Sequence, residues 1–436
     1  MPDVTYLTLA DLDADAARAL LKRTESDLTP YLDGARPIVE AVAAEGDAAL
    51  ARYARDLDRA PVDPDEIAAT PADFDAAFEA VDPEMIEVLR FCIDNVRRFH
   101  EAQMPAEMWW KEMHPGVFAG EKIVPIERVA AYVPRGKGSF PSVVMMTAVP
   151  AVVAGVPEPC IITPPGPDGR IDAATLVAAR LAGVERVFKA GGAQGVAAVA
   201  YGTETVPKCH KIVGPGSPWV VAAKRLCADR LDPGIPAGPS EAIVLADETA
   251  DGRLAALDLL IESEHGPDSS AWLVTPSRAV AEAARAAIPD FWTEMGAERR
   301  AFSETVLTGP RGGILVTPDM EGALDFVNAY APEHLQIHAE SPHDYIGAIR
   351  NAGEILLGAH TPICIGNFTL GPNAVLPTNA AALTRSPLSV HDYLKSIGLG
   401  YVTRTGYGAL APRAKRFAEY EGFDAHANAV SALRGA

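Results

Sequence analysis

Short β-rich runs alternate with helical runs over residues 120–245, and this alternation narrows the choice of folds more than any other feature of the chain. Residues 129–133 read as a strand, 142–154 as a helix and 160–163 as a strand. Helices over 174–182, 195–201 and 219–226 are then interleaved with strands over 187–190, 211–213 and 242–245. Joining two parallel strands takes a long crossover, usually a helix, so this order predicts a parallel sheet covered on both faces. The pattern starts again with helices over 254–263, 279–287 and 320–330, and strands over 271–274, 314–316, 335–337 and 354–357. The expected fold class is α/β, with two Rossmann-like parallel-sheet domains over 111–240 and 241–385. A helical arm, 1–110, precedes them, and a predominantly helical tail, 386–436, follows.

A chain of 436 residues can bury a large core. Its net charge of −20 argues against nucleic acid as a partner, because phosphate backbones call for Lys- and Arg-rich faces. The five cysteines, Cys92, Cys160, Cys209, Cys227 and Cys364, form no C-x-x-C pair, and their spacing suits a reducing compartment. The start, Met1-Pro2-Asp3-Val4-Thr5, has no basic and apolar leader, and the apolar run 142–156 holds Pro150 and is short for a membrane span. A cytoplasmic protein with no membrane partner is expected.

Several segments carry chemistry. Glu262 and His265 close an apolar helical run three residues apart, so they share a helix face and can point at one ion. Glu333-His334 lies where a helix gives way to a strand, and a histidine there is a candidate general base. Gly191-Gly192-Ala193-Gln194-Gly195 and Gly214-Pro215-Gly216-Ser217 sit at strand ends, where glycines let the backbone approach a phosphate and a helix N-terminus attracts it. The same glycines would equally serve a tight βα turn. The full G-x-G-x-x-G fingerprint is missing. The loop from Tyr132 to Ser142 holds Arg135 and Lys137 among glycines and prolines, a composition able to close over an anion.

Taken in order, these segments resemble the histidinol dehydrogenase family. The markers are Tyr132-Val133-Pro134, Gly191-Gly192-Ala193-Gln194, Lys211-Ile212-Val213-Gly214-Pro215-Gly216 and Ala237-Gly238-Pro239-Ser240-Glu241. They continue with Glu264-His265-Gly266-Pro267-Asp268, Ala331-Pro332-Glu333-His334-Leu335, Val375-Leu376-Pro377-Thr378, and Glu421-Gly422 followed by His426. The resemblance implies a zinc- and NAD-dependent enzyme that oxidises a primary alcohol twice, through the aldehyde to the carboxylate. It implies a homodimer with intertwined subunits and shared active sites. Carried over by motif position, the metal ligands are Glu262, His265, Asn367 and His426, and the acid/base pair is Glu333 and His334. Tyr132, Gln194 and Ser217 fall on the NAD side, and Ser240 and Glu421 lie near the substrate.

The departures from the family pattern concern the metal and the substrate. The first ligand, usually Gln, is Glu262, and the third, usually Asp, is Asn367. Acid and amide have exchanged places, so the formal charge of the set is unchanged; an amide oxygen is the weaker donor for zinc. A histidine that usually follows the Asn of a Gly-Thr-Asn-His stretch is replaced by Ala374, in Gly371-Pro372-Asn373-Ala374. Ser217 stands where the motif has Asn, and Arg135 adds a cation to the loop. These changes point away from histidinol and toward a small anionic polyol, best matched by (R)-2,3-dihydroxypropane-1-sulfonate, which would become sulfolactate. Arg135 is the expected sulfonate partner and Lys137 the second. L-histidinol itself, another small polar alcohol, or a metal-free scaffold role are the competing readings.

Overall fold

The computed structural model describes residues 3–23, 28–135 and 138–434. In chain order the strands are β1 (Tyr6–Thr8), β2 (Met108–His114), β3 (Val117–Pro125), β4 (Arg128–Tyr132), β5 (Glu158–Thr163), β6 (Val187–Lys189), β7 (Lys211–Val213), β8 (Glu241–Ala246), β9 (Ser270–Thr275), β10 (Gly312–Val316), β11 (His334–His338), β12 (Glu354–Leu357) and β13 (Leu394–Val402). The first sheet has the order β6-β5-β4-β7 and every pairing in it is parallel. The second has the order β1-β10-β9-β8-β11-β12 and is also parallel throughout. Counted within each unit, both follow the nucleotide-binding progression that winds outward from a central strand, reverses, and winds the other way. The α/β class expected from the alternation is the class found.

Two parts of the structure depart from the simple picture. The arm contributes a strand, β1, which pairs with the edge strand β10 of the second sheet. Its helices Thr29–Glu45 and Asp47–Asp56 pack on helices Gly192–Tyr201 and Pro218–Leu226. Helices Pro71–Ala80 and Pro83–Ala102 cover the other side through Pro141–Val153 and Ala173–Ala182. The arm therefore closes both hydrophobic layers of the first sheet. The second departure is an antiparallel sheet, β13-β3-β2, which joins the chain before the first unit to the tail after the second. Every residue of β2 is exposed, including Met108, Trp109, Trp110 and Met113.

Helix Gly252–Ser263 positions much of the candidate site. It is buried nearly all round, with Leu259 and Ala255 in the core beneath β8 and β9. Yet it also buries Asp258 and Glu262, one turn apart. Among the described residues, no helix is long and apolar enough to cross a membrane.

Candidate active site

Strand β11 alternates by the pleat, so His334, Gln336 and His338 share the face toward helix Gly252–Ser263, while Leu335 and Ile337 enter the apolar layer on the other side. A column of polar contacts results. Asp258 Oδ2 accepts from Gln336 Nε2 at 2.6 Å and lies 2.8 Å from His338 Nε2. One turn on, Glu262 Oε1 lies 3.9 Å from His334 Nε2. The chain reaches β11 through Ala331, which closes helix Met320–Tyr330 in the left-handed region at φ 51°, and through Pro332, which cannot extend that helix. This sharp exit sets Glu333 just before the strand and His334 at its first position. Gly353 is required beside them, because a Cβ there would sit 2.5 Å from the Glu333 carbonyl oxygen.

His334 Nδ1 lies 2.5 Å from Glu354 Oε1, and its Nε2 lies 3.8 Å from Glu333 Oε1. Glu333 Oε2 accepts the backbone N–H of Glu241 at 2.9 Å. The side chains of Glu241, Glu262, Glu333 and Glu354 are only 3%, 1%, 10% and 8% exposed, so four carboxylates share a nearly dry site. Burial pushes the Glu333 carboxyl up to about 8, against the opposing pull of the His334 ring. Burial alone would lower His334, but Glu262, Glu333 and Glu354 outweigh it and raise the imidazole to about 10. The basic nitrogens in contact with this cluster belong to His334, Arg23 and the half-exposed His265, fewer side chains than there are carboxyls. A divalent cation would offset the burial and the Glu262 charge that push the Glu333 carboxyl up.

The donors for such a cation gather in part. His265 Nδ1 lies 3.2 Å from Glu262 Oε2 and 3.1 Å from the Ile261 carbonyl oxygen. Asn367, on the short helix Ile363–Phe368, places Nδ2 3.4 Å from Glu262 Oε1. Half a turn of the amide exchanges Nδ2 for Oδ1, the atom a cation would take. His426 is elsewhere: it is exposed on helix Asp424–Ala429, with its ring 5.2 Å from that of Phe423. Glu421 is exposed at the end of the preceding helix. Among the described residues of one chain, no group of three or more His, Cys, Asp and Glu forms a complete metal site. Glu262, His265 and Asn367 together fit a borderline ion such as zinc that still accepts a further donor.

On the first sheet, Tyr132, Gln194 and Ser217 all lie at the carboxyl edge. Tyr132 ends β4 and Gly214 directly follows the adjacent β7, where the strand order reverses. Ligands enter open parallel sheets at that point. A Cβ on Gly214 would meet the Tyr132 carbonyl oxygen at 2.3 Å. The Tyr132 hydroxyl accepts from Gly192 N–H at 3.1 Å, and burial pushes it up to about 12. Gln194 Nε2 donates to Asp58 Oδ2 at 3.1 Å. Ser217 is exposed at the head of helix Pro218–Leu226, and its side chain makes no capping bond. Arg135 Nη1 donates to the Arg170 carbonyl at 3.1 Å. Lys137 lies outside the described residues. Ser240 precedes β8, and its carbonyl accepts from Ser270 N–H at 2.9 Å.

A sequence profile of the histidinol dehydrogenase family matches residues 21–434. The chain belongs to the histidinol dehydrogenase family. It is 62% identical over 426 residues to a histidinol dehydrogenase homolog of Colwellia psychrerythraea, covering 98% of this chain and 96% of that one. It is 46% identical over 424 residues to the histidinol dehydrogenase of Synechocystis sp., covering 97% of this chain and 98% of that one. The crystal structure of histidinol dehydrogenase from Elizabethkingia anophelis superposes with a TM-score of 0.94 at 30% identity, covering 100% of this chain and 99% of that one. As a member of the histidinol dehydrogenase family, the chain is an NAD-dependent dehydrogenase by descent.

Sequence reasoning missed some contacts within this family frame. Glu354 orients His334, yet nothing in Gly353-Glu354-Ile355 marks it as more than the start of a strand. Asp58 supports Gln194 from a distant part of the arm, and burial pushes its carboxyl up to about 6. Arg23 follows helix Ala14–Leu20 of the arm and nevertheless reaches the second unit.

Proposed function

We propose that the chain oxidises a small anionic primary alcohol through its aldehyde to the carboxylate, using NAD and zinc, with (R)-2,3-dihydroxypropane-1-sulfonate as the substrate and sulfolactate as the product. The observation that carries the two-step reading is the buried pairing of Glu333 with His334. One is a carboxyl poised near neutrality, the other an imidazole fixed by Glu354.

When bound, zinc held by Glu262, His265 and Asn367 supplies polarisation of the reacting oxygen, and NAD at the carboxyl edge of the first sheet supplies the hydride acceptor. The protein does the proton work. Glu354 holds Nδ1 of His334, which leaves Nε2 as the ring atom facing Glu262 and Glu333. Glu262, Glu333 and Glu354 favour the protonated ring, so His334 must be in its neutral form, with the Glu262 charge taken up by the bound cation, for Nε2 to take the hydroxyl proton in the first oxidation. Glu333 in its ionised form then orients a water at the aldehyde carbon and takes its proton, while the His334 imidazolium returns one to the carbonyl oxygen, which gives the hydrate that can be oxidised again. Burial keeps bulk water from competing with that placement.

What supports an anionic substrate is the pair of departures at Ala374 and Arg135. Asn373 turns into the interior, donating to the Met146 carbonyl at 2.6 Å, and Ala374 packs against the apolar core of the first sheet, so alanine stands where the family pattern has an imidazole. Arg135 bonds a neutral carbonyl. A homodimer with shared sites is part of the same reading. Its support is the exposed apolar surface of β2, β13 and helix Arg404–Tyr420, including Trp110, Tyr401 and Phe417, on the lobe that carries Glu421 and His426. His426 of the partner subunit would then supply the remaining metal donor.

The test is NADH formation across a panel of primary alcohols, with and without a chelator. The expected result is two NADH per sulfonated diol, abolished by chelation and regained with zinc. Efficient turnover of L-histidinol with none of the sulfonated diol would replace this substrate by the one named for the Synechocystis relative.

A further inference from the structure

Arg23 lies far from the catalytic pair in sequence, and its position in the fold is unusual for a residue of a helical arm. Its side chain is 6% exposed, and Nε lies 3.3 Å from Oε2 of Glu241, itself 3% exposed. The guanidinium sits over the Tyr330 ring with Cζ 3.5 Å from the centroid. Nη1 donates to the Leu21 carbonyl at 2.7 Å, and Nη2 donates to the Tyr330 carbonyl. The plane of the cation is thus fixed from several sides. Neither Arg23 Nε nor Glu241 Oε2 completes a hydrogen bond, so what joins these two atoms is charge.

Glu241 is the junction of three elements. Its Oε1 accepts the backbone N–H of Asn379 at 2.8 Å. Asn379 and Ala380 both hold φ 56°, the left-handed region that non-glycine residues rarely occupy. Two such residues in succession persist only where the surroundings impose them. Nearby, Thr378 Oγ1 accepts from Gly238 N–H at 2.7 Å. The Glu241 backbone N–H, finally, is the donor that fixes Glu333 Oε2. Glu241 therefore aims Glu333 with its amide and restrains the Asn379 turn with its carboxylate.

We propose that Arg23 is a positioning residue for the reaction: it neutralises Glu241, so that Glu241 can stay ionised beside Glu333, hold the Asn379 turn and aim the Glu333 carboxyl. The inference rests on the role assigned above to Glu333. An uncompensated buried carboxylate is costly and would move or take up a proton, and either response disturbs its neighbour.

The experiment compares Arg23→Met, Glu241→Gln and the double variant, each measured per folded, zinc-loaded site. Arg23→Met is expected to slow conversion of aldehyde to carboxylate by about 10- to 100-fold, the scale of a misplaced catalytic group, with less effect on the first oxidation and on KM. The double variant removes both charges and is expected to regain most of that loss. A role in packing alone would leave it as slow as Arg23→Met. Equal rates for Arg23→Met and wild type, or no recovery in the double variant, overturn the proposal. If Arg23→Met does not fold, Arg23→Gln with and without Glu241→Gln makes the same comparison. Hydrogen exchange at residues 376–385 gives a readout that needs no substrate. Faster exchange is expected in Arg23→Met and restored protection in the double variant. Wild-type protein that oxidises no alcohol would defeat the functional reading, whereas unchanged exchange in Arg23→Met would defeat this one.

Discussion

Nδ1 of His334 and Oε1 of Glu354 lie 2.5 Å apart, a contact that fixes which ring nitrogen can serve the reaction. Glu354→Gln keeps the size of the side chain but removes its charge, and an amide can donate to Nδ1 as well as accept from it, so the ring loses the support for its protonated form and its tautomer is no longer fixed. The first oxidation is expected to fall about 10²-fold, the range of general acid–base contributions, with KM little changed. Single-turnover NADH formation checks this, and a rate within a factor of two of wild type would remove Glu354 from the machinery.

Glu333→Gln separates the two oxidations. The amide still accepts the Glu241 N–H but cannot take a proton from water. Aldehyde trapped as its hydrazone is expected to accumulate, while carboxylate formation slows by about 10²- to 10⁴-fold. Full carboxylate yield at an unchanged second-step rate would assign water activation elsewhere.

The fold was legible because burial on both faces of a parallel sheet leaves β-branched runs separated by helix-length segments, as in Ala242-Ile243-Val244-Leu245 before Leu254. The β13-β3-β2 sheet was not. Met108-Trp109-Trp110-Lys111-Glu112-Met113-His114 is exposed throughout, so no alternation of apolar and polar residues marks it. The candidate site divides in the same way. Glu262, His265, Glu333 and His334 stand out as adjacent or helix-spaced pairs. Arg23, Glu241 and Glu354 come to it from separate elements, and only tertiary structure reveals them.

Sharing of sites between subunits is open to complementation. His426→Ala disables the tail and His334→Ala the core. If each site takes its tail from the other chain, mixing the two inactive proteins and allowing exchange creates hybrids with one intact site. Random pairing then restores about a quarter of the wild-type activity, since half the dimers are hybrids with one of two sites working. Sites built within one chain would leave the mixture inactive. A companion measurement is zinc retention. Asn367→Asp adds a carboxylate donor and is expected to hold zinc about tenfold more tightly against a chelator.

Lys224 gives a stability prediction independent of activity. It is buried, donates through Nζ to the Gly214 carbonyl at 2.8 Å, and burial pulls its ammonium down to about 8. The unfolded chain keeps the ordinary higher value, so between about pH 8 and 10.5 it binds more protons than the folded one. This residue's contribution to stability therefore rises as pH climbs through that window and is lost as pH falls through about 8. The full swing is roughly 3 kcal/mol. Denaturation midpoints of wild type minus Lys224→Met, measured from pH 7 to 10, should climb; a flat difference would refute the shift.

The column formed by Asp258, Gln336 and His338 has a mechanical consequence. Leucines and valines tolerate a small slide of a helix over a strand, since one greasy contact replaces another. Buried partners that must meet donor to acceptor do not, because any slide strands them all together. Asp258 and Glu262 ride on the same helix, so the column acts as a ratchet pawl one turn away, holding Glu262 at the height of His334.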